Sequence, residues 1–529
     1  MKFFDLTNNA MFLSCWREKT RPATMVSFFI LLALILGLML MNAYYNSDTV
    51  YNYSYNPYGS GIPKSKVLAW HEKFLLDISV LQGVIILLLG AVSAYRMADR
   101  ERTSGTLDFH RSSPAPAAQQ MLGLLAGSAV LEWMLFLSLT ALSIVLCILC
   151  PHYFLDIMYF NLCLALCAAL YHAAAILTAL FQVNNKRAYG FISVIALLYV
   201  VMHLLVMPRS AFTFHLTWQP AYFYLNTALQ GFHQTSYYWG SNAEDMLLTL
   251  FGVRQPPGVL QFVIQIPLLA FILKGISRKI QHPESLALAK DYLLLVTLYI
   301  AFFWTASAFT KIVSPSLYYY YGSGDGELAA FAALILGVGF FAAFMATPTQ
   351  LRYRQGLIKA KKLGISKLPV LDDHRGVTGW LAGFALITWV FLDIYMYLLK
   401  IPLPKSIAYF AVLMSYPLGL AYFCEWFKLS KYHRRPIIVG TILIVLWMLM
   451  PIFGSMLDNI FKVDKSIESF FMAFSPVAAV AEVFSRNLPS DSLPEKNQAL
   501  TITLAMSSIL AMAAAIAAYL QRRQLKKFN

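Results

Sequence analysis

Ionisable side chains within apolar runs are the residues of this sequence that could do chemistry inside a membrane. They are Glu132, His172, His203, Asp393 and Glu425, of which Glu425 lies near the cytoplasmic end of its run and can reach the interface next to Lys428. Burying such a group in hydrocarbon costs free energy, so these residues commonly mark substrate paths, ion paths or proton relays. A structural interpretation stays open for each, because a side chain that faces another helix can be satisfied by a partner there. Coupled proton transport would need several acidic groups on one path, and the spacing does not indicate such a path.

Short motifs of enzyme active sites are missing from the chain. The nearest approach to a phosphate-binding loop is Gly59-Ser-Gly-Ile-Pro-Lys-Ser65, which has the wrong spacing. The zinc-protease, nucleophile-elbow and kinase signatures are absent as well. We therefore predict that the chain is not an enzyme, has no catalytic or metal-binding residues, and binds no cofactor directly.

The composition indicates the element that must position these residues, the membrane-spanning helix. Of 529 residues, 59% are hydrophobic and only 13% are charged, and the mean hydropathy is +0.61. Apolar runs of roughly twenty residues, enough to cross ~30 Å of hydrocarbon, recur along the chain. We predict an all-α integral membrane protein with twelve spans, at 25–45, 74–95, 120–149, 157–181, 189–207, 259–276, 291–311, 327–347, 377–399, 406–427, 437–453 and 499–520.

Basic residues predict the orientation of the spans. They concentrate in alternate connecting segments, at 17–21, 96–111, 186–187, 274–279, 352–367, 431–435 and 522–527. By the positive-inside rule these segments, and both termini, are cytoplasmic. The net charge of +15 is then a signal of topology and requires no nucleic acid partner.

The order of the loops predicts an internal duplication. In each half a span, an outside loop, a span and a long cytoplasmic loop are followed by three closely linked spans, a long outside loop and a last span. We predict two tandem six-span halves, 1–280 and 281–529, the second divergent. The first half begins with residues 3–16, which favour an amphipathic helix on the membrane surface.

The first long cytoplasmic loop, Asp99 to Gly127, has the composition of a contact surface. The second span is predicted to continue through Arg102, and Ser113-Pro114-Ala115-Pro116 to end the segment before a new helix near Ala117. Between them, Thr106 to His110 favours a short helix that presents Leu107 and Phe109 together to a partner. The alternative is a solvated loop.

The second long cytoplasmic loop, Leu351 to Arg375, is far more basic. Its candidate functional residues are Arg354, Lys359 and Lys362. Two interpretations stay open: a basic amphipathic helix on an anionic leaflet, or a second docking element.

The first loop resembles a known family. The residues that carry the resemblance are Glu101-Arg-Thr-Ser-Gly105-Thr106-Leu107-Asp108, Ser113-Pro114, Gly123 and Glu132-Trp133. Together with the predicted topology they are similar to the permease subunits of ABC-2-type exporters, which carry an acidic-x-x-x-Gly-Thr-Leu-acidic signature after their second span. The second half lacks this signature.

The resemblance implies a function and a set of partners. The chain would be the membrane part of an exporter in the cytoplasmic (inner) membrane of a prokaryote, with two separate ABC ATPase subunits docked beneath it. ATP and Mg²⁺ would bind to those subunits, and the lipid bilayer would surround the chain. An accessory membrane or extracytoplasmic subunit is also compatible with the family. The implied ATPase-coupling interface consists of Glu101, Gly105, Thr106, Leu107, Asp108, Phe109, Arg111 and Pro114.

Two other functions compete with this one. The first is a secondary transporter driven by an ion gradient, with Glu132, His172, His203 or Asp393 as coupling groups. The second is a membrane enzyme acting on lipid-linked substrates, which would require acidic or histidine residues clustered at the outside ends of the spans. The sequence shows only scattered Asp and Glu there.

Overall fold

A computed structural model describes most, but not all, of the chain. The described residues are 9–45, 70–112, 115–148, 153–181, 225, 249–250, 253–254, 259–283, 286, 288–313, 325–365, 368–398, 403–430 and 493–527. The predicted spans 189–207 and 437–453 lie outside these residues, as does most of the long outside segments 208–258 and 454–498.

Within the described residues, the contacts divide the chain into two compact units whose main boundary follows Pro283. The first unit contains helices α1 (Ala10–Lys19), α2 (Pro22–Tyr45), α3 (Trp70–Gly83), a π-helix (Val84–Leu89), α4 (Gly90–Thr103), α5 (Thr106–Ser112), α6 (Ala117–Ser128), α7 (Val130–Leu146), α8 (Phe154–Phe181) and α9 (Val259–Gln281). Two short strands, β1 (Thr249–Leu250) and β2 (Val253–Arg254), precede α9 in the chain and form a two-stranded sheet; the contacts assign β1 and Val253 to the second unit.

The described part of the second unit is also helical. It contains α10 (Lys290–Val313), α11 (Asp325–Ala346), α12 (Gln350–Lys362), α13 (Thr378–Leu398), α14 (Leu403–Leu429) and α15 (Leu493–Lys527). Trp304, Phe331, Trp380, Phe384 and Tyr395 are fully buried in its core, and the rings of Phe331 and Tyr395 stack with centroids 5.7 Å apart. These aromatic side chains bring the largest apolar areas into the packing between helices.

Six described helical segments are long and apolar enough to cross a membrane, and a bent pair would make a seventh. The six are Pro22–Tyr45, Trp70–Thr103, Phe154–Leu180, Thr378–Leu398, Ser406–Leu429 and Thr501–Leu525. The side chains of Val26, Ile30, Leu34 and Leu38 on α2 are exposed, an apolar surface that suits lipid and not water. An α-helical membrane-embedded protein is thereby confirmed.

The predicted span 120–149 is not one straight helix. It consists of α6 and α7, which are bent by 62° relative to each other. The break falls at Ala129, whose φ of −122° and ψ of 32° are not helical. Apolar run length alone did not reveal this bend; Gly127 and Ser128 directly precede it, and such a pair is a common site of sharp helix kinks.

Candidate functional site

The turn between α4 and α5 depends on one glycine. Gly105 has φ of +78°, in the left-handed region that other residues rarely adopt. Its carbonyl accepts the amide hydrogens of Asp108 and Phe109, at 3.0 and 3.3 Å, and thereby begins α5. The predicted short helix is present, and it extends to Ser112. Ser113 and Pro114, which were predicted to end it, lie outside the described residues.

Helix α5 is fixed on one side by Arg111. The guanidinium Nε donates to the Ile280 carbonyl at 2.5 Å, and Nη2 donates to the Lys279 carbonyl at 3.3 Å. Both carbonyls lie at the C-terminus of α9, where a cation also interacts favourably with the helix dipole. Arg111 forms an ion pair with Asp108 as well, so its position is defined from two directions.

Gln120 of α6 fixes the other side of α5. Its side-chain amide donates to the carbonyls of His110, at 2.7 Å, and Ala115, at 3.0 Å. Gln120 and His110 are both buried. The short helix is thus tied to α6 and to the end of α9, and a displacement of α5 would be passed to both.

The expectation that Leu107 and Phe109 are exposed together is wrong. Leu107 is only 1% exposed, whereas Phe109 is 71% exposed. Residues two apart on a helix point to nearly opposite sides, so only one of the two can face away from the packed helices. The exposed residues of α5 are Thr106, Asp108, Phe109 and Ser112, and Phe109 is the large apolar one among them.

Glu101 belongs to the packed layer beneath α5 and not to its surface. The residue is buried, and its backbone carbonyl accepts the Thr106 hydroxyl at 3.3 Å. Burial raises the pKa of the nearby Cys15 thiol to about 12, and the negative charge of Glu101 adds to that effect. Thr106 and Glu101 therefore help to hold the start of α5 in place.

The N-terminal helix α1 packs onto the same region. Asn9 caps it by accepting the amide hydrogens of Met11 and Phe12, and its own amide donates to the Gln119 carbonyl at 2.6 Å. Gly127 permits close approach, since a Cβ there would lie 2.8 Å from the Cβ of Cys15. The predicted helix at 3–16 is observed from residue 10 to residue 19, and residues 1–8 lie outside the described part.

Two ion-pair contacts connect α1 to the helices that flank the first loop. Glu18 pairs with Arg100 of α4, and Lys19 Nζ lies 3.9 Å from Glu132 Oε1 in the first turn of α7. Burial lowers the pKa of Lys19, and the carboxylate of Glu132 opposes that shift. Glu132 thus has a basic partner, which favours the structural interpretation of this residue.

His172 is fully buried on α8, opposite the π-helix. Its Nε2 lies 2.7 Å from the carbonyl oxygen of Ile86, and its ring packs edge-on against Trp133 with centroids 5.6 Å apart. A π-helix disturbs the regular i→i−4 pattern, so a side chain can reach its carbonyl groups. Gly90 leaves the space that the imidazole occupies, because a Cβ there would lie 2.8 Å from its Cε1.

Of the intramembrane candidates Asp393 and His203, the structure describes one. Asp393 belongs to the second unit, where its carboxylate accepts the Ser406 hydroxyl at 3.1 Å. His203 lies outside the described residues. Among the residues that the structure describes, no row of acidic groups follows a single path through the spans.

The second basic loop is an ordered segment. Arg354, Lys359 and Lys362 are exposed on α12. Lys359 Nζ donates to Asp372 at 3.0 Å, and the backbone N–H and ring Nδ1 of His374 both lie 2.9 Å from the other carboxylate oxygen. Desolvation acts to raise the pKa of Asp372, but the hydrogen bonds from His374 and Lys359 outweigh it and lower the pKa to about 2.

The side chain of Lys290 binds the end of this loop, near Asp372 to Gly376. Its ammonium donates to three backbone carbonyls, those of Asp372, Arg375 and Gly376, at 2.9, 2.6 and 3.1 Å. Charge patterning had indicated only that the segment is cytoplasmic. The contacts show that one buried lysine organises the chain around it.

A buried ion pair in the second unit was missed by sequence reasoning. Glu425 is fully buried on α14 and forms a two-pronged pair with Arg522 of α15, in which Nε lies 2.6 Å from Oε1. The expectation that Glu425 reaches the interface beside Lys428 is therefore wrong. The partners are 97 positions apart, and Arg522 had been interpreted only as part of a basic C-terminal segment.

A neutral polar cluster in the first unit was also missed. Gln82 donates to Asn161 at 2.9 Å and to Thr140 at 3.1 Å, and these three residues come from α3, α8 and α7. Such bonds hold spans together where the hydrophobic effect contributes little. Within the part of the chain that the structure describes, no three His, Cys, Asp or Glu side chains gather as metal ligands would.

Comparisons with known proteins return no match: no family model, no curated protein and no solved structure is similar to this chain. The fold and the site define the class on their own. The chain is an α-helical integral membrane protein in which a short helix with one exposed aromatic residue is held between longer helices.

Proposed function

We propose that the chain is the permease subunit of an ABC exporter of the ABC-2 type. The observation that carries the proposal is α5, a seven-residue helix whose first three residues, Thr106-Leu107-Asp108, complete the Glu101-x-x-x-Gly-Thr-Leu-Asp108 signature. It exposes Phe109 while Arg111 and Gln120 tie it to α9 and α6. A membrane transporter without its own ATP-binding motif needs a rigid cytoplasmic element that a separate ATPase can contact and displace, and α5 has these properties.

The proposed coupling uses rigid connections. ATP and Mg²⁺ bind to two separate ATPase subunits, and closure of these subunits displaces α5 through Phe109 and Asp108. Arg111 transmits the displacement to the C-terminus of α9, and Gln120 transmits it to α6, directly ahead of the bend at Ala129. Because packed helices move as rigid bodies, a small shift of α5 becomes a tilt of whole spans.

The finer architecture is part of the same proposal. Twelve spans form two tandem six-span halves, 1–280 and 281–529, with both termini in the cytoplasm of a prokaryote and the spans in its inner membrane. The unequal distribution of Lys and Arg among the connecting segments supports this orientation. The ordered but differently built segment around α12 supports an asymmetric pair of cytoplasmic loops, in which only the first carries the coupling signature.

Photo-crosslinking tests the proposal. A photoreactive phenylalanine analogue in place of Phe109 is expected to crosslink the full chain, in its native membrane, to an ATP-binding subunit. Ser112 is exposed on the same helix and serves as the matched control position, where a weaker crosslink is expected. A transport-competent chain that purifies without any nucleotide-binding partner would overturn the proposal.

The competing secondary transporter makes the opposite prediction for energy supply. Transport by an ATP-driven complex is expected to continue when an uncoupler collapses the ion gradients and ATP is still present. Inhibition by the uncoupler at constant ATP would favour the gradient-driven mechanism. Replacement of Glu132 by Gln would then abolish transport, whereas a structural contact to Lys19 predicts only partial loss.

A further inference from the structure

The exposed face of α12 is unusual for a segment in water. Leu351, Ile358 and Leu363, together with Ile365, Val370 and Leu371 in the segment that follows, are all exposed aliphatic residues. Ile358, in the middle of the helix, is 50% exposed. Scattered apolar residues on a surface need no explanation, but six within about twenty positions indicate a surface that something covers.

The charge of α12 identifies what could cover it. The helix carries five basic residues, Arg352, Arg354, Lys359, Lys361 and Lys362, and no acidic residue. Lys359 is engaged with Asp372, whereas Arg354, Lys361 and Lys362 are exposed around the apolar residues. Aliphatic side chains flanked by cations are typical of a helix that lies at the boundary between acyl chains and anionic headgroups.

The opposite face of α12 fixes where the helix lies. Tyr353 packs with Leu429 and Leu525, near the ends of two candidate membrane spans. Gly356 lies against His374, since a Cβ there would be 2.6 Å from the Cβ of that residue. Because the helix is docked at the ends of spans, on the side where Lys428, Arg522 and Arg523 also lie, it sits at the level of the headgroups.

We propose that α12 binds the anionic phospholipids of the cytoplasmic leaflet, with Ile358 and Leu351 toward the acyl chains and Arg354, Lys361 and Lys362 toward the lipid phosphates. Anionic lipid suits this surface better than a protein partner because the same face combines exposed aliphatic residues with unopposed positive charge at the membrane boundary. The proposal does not depend on an ATPase partner.

Hydrogen exchange of the full chain in lipid nanodiscs tests the proposal. Backbone amides of 350–365 are expected to exchange more slowly in discs of phosphatidylcholine mixed with phosphatidylglycerol than in discs of phosphatidylcholine alone. High salt is expected to remove the difference, because it screens the headgroup charge. This comparison uses the unaltered chain and does not depend on the folding of any variant.

A charge-matched pair of variants assigns the effect to this helix. Each basic residue near an anionic surface contributes roughly fivefold to adsorption, so Lys361→Gln with Lys362→Gln is expected to reduce it about 25-fold and to abolish the lipid-dependent protection. Arg17→Gln with Lys274→Gln removes two exposed positive charges from the first unit and is expected to leave the protection of α12 unchanged. Ile358→Ser is expected to weaken the protection without altering its salt dependence.

Three outcomes would overturn the proposal. The first is equal exchange of 350–365 in both kinds of disc, and the second is protection that persists in Lys361→Gln with Lys362→Gln. The third is protection that appears in neutral discs only after an ATPase subunit is added, which would assign the face to a protein partner.

Discussion

Arg111 donates a hydrogen bond from its Nε to the backbone carbonyl of Ile280, 169 positions later in the chain, at 2.5 Å. This contact joins α5, the short helix that contains the end of the coupling signature, to α9, the last helix of the first unit. The contact attaches α5, which lies in a loop between longer helices, to the C-terminus of α9. In the proposed mechanism, this hydrogen bond transmits a displacement of α5 at Phe109 to α9.

Replacement of Arg111 by Ala is expected to loosen α5. The charged hydrogen bonds to α9 are lost, at a cost of about 2 kcal/mol, so amides of Thr106–Ser112 should exchange faster with deuterium. Transport driven by ATP should fall while ATPase activity of the partner persists. Asp108→Asn is the control for the hydrogen-exchange measurement, because it removes only an exposed ion pair worth under about 1 kcal/mol and keeps both carbonyl contacts. Unchanged exchange in Arg111→Ala would contradict the assigned role.

Gly105→Ala is expected to destabilise the protein by about 1–2 kcal/mol, because alanine is strained in the left-handed region. No neighbouring atom lies within 4 Å of the position a Cβ would take, so the cost comes from the backbone alone. Gly37→Ala is a matched control, since Gly37 has the same free space and lies within the regular helix α2. Thermal unfolding in detergent should show a lower Tm for the first variant and an unchanged or higher Tm for the second.

Gly90→Ala is expected to collide with His172, since a Cβ at Gly90 would lie 2.8 Å from the imidazole Cε1. Overpacking of this kind costs about 1–3 kcal/mol. Adding His172→Ala to Gly90→Ala should recover part of that loss, because the colliding ring is then absent. A double-mutant cycle measured by thermal unfolding checks the contact, and strictly additive losses would contradict it.

Asp372 predicts a dependence of loop stability on acid. Its pKa is lowered from 3.8 to about 2 in the folded chain. The unfolded carboxylate therefore takes up its proton first, so the stabilisation is complete above about pH 4 and is lost as the pH falls toward 2. Hydrogen exchange of 368–377 should accelerate over that interval. In Asp372→Asn the segment should already exchange faster at neutral pH and should respond little to acid.

The buried pair of Glu425 and Arg522 predicts an asymmetry between two single variants. Arg522→Met leaves a fully buried carboxylate without its partner and is expected to cost about 3–5 kcal/mol. Glu425→Met is expected to cost less, because the Arg522 side chain is partly exposed and can reach water. The double replacement by Met should be more stable than Arg522→Met, as measured by thermal unfolding. Equal losses in the two single variants would contradict the observed burial.

Local sequence signals predicted several parts of the candidate site. The segment from Thr106 to His110 favoured a short helix, and α5 is found there. Residues near Ala117 were expected to begin a helix, and α6 begins at that residue. These features depend on neighbours in the chain, so a pattern of residues is enough to locate them.

Features that depend on distant partners were not predictable. The sequence treated Leu107 and Phe109 as equivalent, and the packing beneath α5 decides which of them is buried. The local sequence around Glu425 gives no sign of Arg522, its partner in the folded chain. Residues that contact each other 97 or 169 positions apart leave no periodic signal in either segment.

By itself, the sequence determined that this protein is helical and embedded in a membrane, because hydrocarbon accepts only segments that satisfy their own backbone hydrogen bonds and carry apolar side chains. The tertiary structure decided which side of α5 is accessible, where the predicted span 120–149 bends, and that α12 presents cations and aliphatic residues on one exposed face. Those outcomes follow from side-chain packing between segments far apart in the chain, and packing is a property of the assembled helices.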